Sequence, residues 1–437
     1  NQAPLDSDYR NQRTVAKNQN TDFNFNARYD EPVSDSAIVS TEITYISQSL
    51  KNDRQVHDFN LATEDYSSYN TLLSNLINQN INSLYSSVGY DLNKTRFRFF
   101  FHANLEINNN DFNSVFNNED KSFLRNFVFP SYNTKFIYRF SRTKSVELSN
   151  MSSFNAPSMM SLNPFTDISN PLVTIQGNPD LESTWKNTSS LYFLNRNIPK
   201  NITYSAKIKF DYTDNDVSDY SYYDDAGRQF RTYANISGNK VLSLDSRFTK
   251  SWKWRGNDFR ISPSFYSSYA QRKGFINGTE YKNSVYNIAP KITLKLVLKE
   301  IMDINSSLGI NYNISNFENY RIDKTRAAQQ NLSFGMTNYF MKSSLYFTNE
   351  ISIAKNNNIS AGFNRTSYFW NTGANYQFYK KQMTLKFSIN DVLNQRQNAI
   401  RNIGDNYIED REDLVLRRYF MLSLLLNVSR FGGNKGS

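Results

Sequence analysis

The feature that most constrains this chain is a two-residue alternation of apolar and polar side chains, held over segments of about ten to fifteen residues. In residues 95–109, Phe97, Phe99, Phe101, Ala103, Leu105 and Ile107 fall on one side, with Arg96, Arg98, His102, Asn104 and Glu106 on the other. Residues 201–213 set Ile202, Tyr204, Ala206, Ile208, Phe210 and Tyr212 against Thr203, Ser205, Lys207, Lys209 and Asp211. Residues 281–298 repeat the pattern with Ile288, Ile292, Leu294, Leu296 and Leu298, and residues 416–431 with Phe420, Leu422, Leu424, Leu426 and Val428. Successive side chains of a strand point to opposite faces, so each segment is read as a strand with one apolar and one polar face.

The alternation predicts about seventeen strands, starting at Asn18, Ala37, Gln79, Thr95, Asn126, Lys144, Thr184, Asn201, Arg228, Asn257, Tyr281, Met302, Ala327, Ser343, Thr366, Gln382 and Leu416. The connections between them alternate between short and long. The long ones are residues 53–78, 110–125, 155–183, 214–227, 272–280, 316–326, 355–365 and 393–415. Mean hydropathy is −0.64, with 29 Tyr and 33 Phe, and no apolar run approaches the roughly 18 residues that a spanning helix needs. Many aromatics spread thinly along alternating strands, joined by short turns at one end and long loops at the other, predict an all-β, transmembrane, antiparallel up-and-down β-barrel in a cell outer membrane. Tyr212, Trp252, Trp254, Tyr266, Tyr269, Tyr368, Trp370, Phe378 and Tyr379 then read as interfacial girdles. Single-chain barrels of this kind have even strand numbers, so an odd count predicts that residues 1–437 are the C-terminal portion of a larger barrel.

Composition removes whole classes of chemistry. The absence of cysteine excludes disulfides, thiolate nucleophiles and Cys-based metal centres, and two histidines, His57 and His102, leave no His-rich site. No catalytic function and no cofactor are expected. The acidic stretch Asp211, Asp214, Asp216, Asp219, Asp224 and Asp225 lacks an EF-hand pattern and reads as a solvated loop. Glu409, Asp410, Glu412 and Asp413 crowd one charged loop without a supporting pocket signal. The net charge of +10 reads as dispersed along alternating faces, toward the interior or toward lipopolysaccharide, which argues against nucleic acid as a partner. Asn-x-Ser/Thr triplets at Asn187, Asn235, Asn277 and Asn331 are chance matches in an Asn-rich chain. Residues 65–82 fit a docking helix or a loop hairpin equally, and Pro290 inside a strong strand predicts a β-bulge. The first residues hold no signal segment; the chain begins at Asn1, so this says nothing of its address.

Several motifs occur in an order that resembles TonB-dependent outer-membrane receptors, especially their outer-membrane β-barrel subfamily. Asn163-Pro164-Phe165 followed by Gly177-Asn178-Pro179-Asp180-Leu181 and a strand near Trp185 resembles the family's signature loop. Tyr29-Asp30-Glu31-Pro32, Phe127-Val128-Phe129-Pro130-Ser131, Asn390-Asp391-Val392-Leu393-Asn394 and a closing strand from Tyr419 to Phe431 are similar to further landmarks. The resemblance implies a 22-strand barrel with an N-terminal plug and energised import of a bulky nutrient. It also implies an energy-coupling partner where a plug precedes the barrel. Two departures matter: Glu182-Ser183 stands where the family has Pro-Glu, and residues 149–157 lack its arginines. They favour an alternative, a non-transporting barrel subunit of a larger assembly with surface lipoproteins or other barrels.

Overall fold

The computed structural model describes residues 11–116, 119–170, 172–224, 227–320, 323–358, 362, 365–380, 382–395, 398–403, 408–413 and 416–427. Its strands are Gln12–Ser34 (β1), Ala37–Asn60 (β2), Asp65–Tyr69 (β3), Asn75–Asn93 (β4), Phe97–Phe116 (β5), Glu119–Ser141 (β6), Lys144–Asn155 (β7), Thr166–Asn170 (β8) and Val173–Gln176 (β9). They continue with Thr184–Asn197 (β10), Ile202–Asp214 (β11), Asp216–Tyr223 (β12), Gln229–Ile236 (β13), Asn239–Trp254 (β14), Asn257–Ile276 (β15), Thr279–Leu298 (β16) and Met302–Glu318 (β17). The last are Lys324–Phe340 (β18), Leu345–Asn356 (β19), Thr366–Phe378 (β20), Met383–Asn390 (β21), Asn398–Ile403 (β22), Ile408–Asp413 (β23) and Tyr419–Leu426 (β24). One turn of helix, Met159–Leu162 (α1), is the sole helical element among the described residues.

Twenty-two strands share one sheet, and seventeen of them form its antiparallel meander in chain order: β1, β2, β4–β7, β10, β11, β14–β21 and β24. The other five, β3, β8, β9, β12 and β13, are built by long connections, and β22 and β23 form a separate hairpin. Among the described residues β1 pairs only with β2 and β24 only with β21, so the sheet is open between them. The alternation thus counted the meander correctly, and its faces are inverted relative to a water-soluble protein. Ile43 (54% exposed), Val128 (59%) and Leu148 (54%) point outward, while Ser40, Gln79, Asn110 (4%) and Ser114 (1%) are buried on the other, inner face. Such inversion is stable only where the outward solvent is hydrocarbon and the backbone is satisfied by the ladder itself.

Eight short turns of two to four residues lie at one end, at 35–36, 94–96, 142–143, 198–201, 255–256, 299–301, 341–344 and 379–382. Directly paired residues share a face, and this places Trp252, Trp254, Phe340 and Phe378 outward beside those turns and Tyr212, Tyr269, Tyr368 and Trp370 outward near the opposite end. Tyr266 departs from the expected girdle, because its partners Asp245 and Ala289 put it on the inner face.

Other expectations are corrected. Residues 110–125 and 272–280 are mostly strand: β5–β6 and β15–β16 run on as hairpins, the second closed by Asn277 (φ 48°) and Gly278 (φ 75°). Two successive positive φ values make the tight turn whose twist matches the strands, which is why Asn-Gly stands there. The strand expected from Arg228 begins at Asn239, because residues 229–236 pair with β12 as a loop hairpin. Residues 65–82 hold β3 and the start of β4, so the hairpin alternative applies. Pro290 makes no bulge: its ladder to β15 is continuous, and toward β17 pairing skips from Ile288–Tyr312 to Lys291–Gly309 without a register shift. The ring removes one donor without requiring an extra residue, and Pro263 does the same toward β14.

Candidate functional site

The excursion at residues 156–183 carries the signature residues and turns onto the inner face. Its two halves are locked together at Gly177. A Cβ there would lie 2.6 Å from the backbone N of Asn163 and 2.8 Å from its carbonyl carbon, with the carbonyl oxygen nearer still, so only glycine admits this approach. The Asn163 side chain accepts from the Phe165 amide (3.1 Å), an Asx turn that ends α1, and Pro164 follows where the chain must leave the helical path. Asn178 donates its amide to Ser161 O (2.7 Å) and its side chain to Tyr233 O of β13 (3.0 Å), while its own side-chain oxygen receives the Asp180 amide (2.9 Å). Pro179 occupies the turn between them.

Three apolar side chains anchor the excursion. Leu162 and Leu181 are each 1% exposed and Phe165 is buried; fully burying such side chains stabilises by roughly 1.5–3 kcal/mol apiece. Phe165 packs on Phe116 of β5 (5.1 Å between ring centroids) with Lys121 of β6 above its face (4.8 Å). Arg125 donates to Leu181 O (2.7 Å), and Arg54 stands 3.6 Å from Asp167. All four wall residues share one face by register, since Arg125 pairs with Asn110, Lys121 with Ser114, and Arg54 with Asn75, which pairs with Phe116. That face is the one carrying the buried polar groups.

Beside the excursion the wall is a hydrogen-bonded polar surface. Gln79 donates to Asn110 (2.6 Å), Asn110 to Asn108 (3.0 Å) and Asn108 to Ser83 (2.7 Å). Buried amides linked this way keep a polar wall rigid without a charge. Glu182, at the departure from the family pattern, is tied by its amide to Asn235 (2.8 Å) and by its carboxylate to Asn215 (3.0 Å), so the excursion also fastens to the β12–β13 hairpin. Burial raises the Tyr233 hydroxyl above its ordinary pKa in that hairpin.

The other motifs fall elsewhere. Tyr29 to Pro32 ends β1 at the first short turn, and Pro130 sits in β6 just past the point where its ladder to β7 stops, at Tyr132–Ser152. Asp391 to Asn394 forms the turn that ends β21: Asp391 (φ 53°) accepts the Gln395 amide (3.1 Å), and Asn394 accepts from Arg418 (3.2 Å) just before β24. Tyr419 pairs with Asn390, while Phe431 and Val428 lie outside the described residues. The acidic stretch is dispersed: Asp211 pairs with Lys209 (2.7 Å), Asp219 with Arg231 (3.8 Å) and Asp224 with Arg228 (2.7 Å), and Asp225 is outside the described residues. Among the described residues no three His, Asp or Glu groups are placed to hold a metal ion. Glu409, Asp410, Glu412 and Asp413 belong to the backbone of β23. Sequence reasoning missed Arg54, Lys121 and Arg125; their inner-face parity within alternating strands was the available signal.

An inverted, meandering sheet with short turns at one end and loop excursions at the other, one of them seated on a polar inner wall, defines a transmembrane β-barrel of the outer-membrane type. Residues 1–300 match the model of the outer membrane protein beta-barrel family. The chain belongs to that family, and its place is the outer membrane. No curated protein matches the sequence. Among solved structures, the crystal structure of the outer membrane transporter YddB from Escherichia coli is similar at 10% identity and a TM-score of 0.24, over 93% of this chain and 75% of that one.

Proposed function

We propose that this barrel is the wall of a TonB-dependent-type importer that moves a bulky nutrient along its polar inner face. The observation that carries this reading is the 156–183 excursion, which belongs to the long-connection end and packs on the inner face beside a hydrogen-bonded row of amides. The motif resemblance supports the energised form of transport.

The test is uptake in a deletion strain supplied with nutrients too large for general diffusion. Import of at least one should be lost, return with the wild-type gene, and collapse when the proton-motive force is dissipated. Unchanged uptake combined with loss of a surface protein or a secreted product would replace this reading with that of a barrel subunit in a larger assembly, which the altered residues at Glu182-Ser183 would then explain.

A further inference from the structure

The strand boundaries sort the net charge by end. The eight short turns hold 23 described residues, and eight basic side chains against Asp35 and Glu300 give them +6. The described residues of the long connections (within 61–74, 156–183, 215–238, 277–278, 319–323, 357–365 and 391–418) hold fourteen acidic against seven basic side chains, or −7. The two ends offset one another, so the overall +10 resides mainly on the strands, while a local basic excess lies at the end that faces the periplasm in barrels of this type.

The same rim is apolar and aromatic on its outer side. Phe140, Ile198, Trp252, Trp254, Ile301 and Phe340 are exposed beside the turns. Lysines are held over those rings: Lys144 lies 5.2 Å from Phe140 and 5.9 Å from Phe193, and Lys250 lies 5.4 Å from Trp252. An ammonium kept over an outward ring next to the turn has its stem along hydrocarbon and its charge at headgroup level. A positive rim over an aromatic belt is complementary to phosphate on a lipid whose chains already surround the wall.

We propose that the short-turn rim is a binding surface for anionic phospholipid headgroups of the periplasmic leaflet, concentrated where Lys250 and Arg255 flank Trp252 and Trp254, with Lys253 adding its charge from the inner side of the same turn. Charge complementarity selects the lipid; the chains add little selectivity, because one acyl chain is as apolar as another. The inference is independent of the transported substrate.

Full-length protein, with Trp185 and Trp370 replaced by Phe so that the two rim tryptophans alone report, is reconstituted into phosphatidylethanolamine vesicles containing phosphatidylglycerol. Either lipid is brominated in turn, and tryptophan quenching is compared. Brominated phosphatidylglycerol should quench more than brominated phosphatidylethanolamine at equal mole fraction, and the preference should shrink with salt. In the K250Q/K253Q/R255Q variant it should fall by up to about five-fold per charge removed, with unchanged heat-modifiable gel migration to show that the barrel is folded. Equal quenching by the two lipids overturns the proposal, as does a preference that survives in the folded triple variant; the basic rim would then belong to an acidic periplasmic protein.

Discussion

Gly177→Ala is the most informative perturbation of the inward excursion. The new Cβ would meet the N, C and O atoms of Asn163, all backbone, so no side chain can swing aside. Overpacking of this kind costs about 1–3 kcal/mol. Undocking the excursion would relieve the clash but expose Leu162, Phe165 and Leu181, at roughly 5–9 kcal/mol as an upper bound, and would also release the hydrogen bonds from Asn178 to Ser161 and from Arg125 to Leu181. The smaller cost wins, so the excursion stays docked in a strained form. Hydrogen exchange followed by mass spectrometry on the folded protein should show amides of 161–181 exchanging roughly 5- to 150-fold faster, with β14–β17 unchanged. Wild-type rates in the variant would refute the close approach at Gly177, and uniform acceleration across the barrel would refute the idea that the excursion is a separable unit.

Further outcomes follow from the same structure. Asn108→Ala removes the donor to Ser83 and the acceptor of the Asn110 side-chain N–H on the buried wall and should lower the urea-unfolding free energy by about 1–3 kcal/mol. Ile43→Arg, on the outward face six residues above the first turn, should cost about 2–4 kcal/mol in lipid vesicles, whereas Ile43→Phe should be nearly neutral; equal effects would mean that this face does not meet lipid. In the β3 connection, hydrogen bonds with Ser67 and Thr63 hold the Asp65 carboxyl below its ordinary pKa. Its contribution is therefore complete above the unfolded-state value near 4 and lost as pH falls through the lower folded-state value. Amide protection of residues 61–69 should stay flat from neutral pH to about 4, drop below it, and lose that dependence in Asp65→Asn.

Strand identity, facing and number were legible because alternation is local: each residue's side is decided by its parity, and lipid outside leaves the apolar parity uninterrupted. Boundaries were less legible. The ladder needs only a partner strand to continue, so β5–β6 and β15–β16 extend past the point where an apolar band would end, and polar runs such as 110–114 read as loop. Pro290 misled because a missing donor on one side of a ladder demands an extra residue only when the ladder cannot tolerate a gap. The signature motifs were visible as residues, but their roles were not.

The sequence by itself determined that this chain alternates as seventeen strands with the apolar parity outward, since parity and turn chemistry act between near neighbours and belong to the chain alone. Tertiary structure decided which connections build further strands, that 156–183 folds inward through the backbone approach of Gly177 to Asn163, and that Arg54, Lys121 and Arg125 meet it there. It also gathered basic side chains at the short-turn end and acidic ones in the long connections. These contacts join residues far apart in the chain, and only the strand-to-strand pairing of the sheet brings them to one wall or one end.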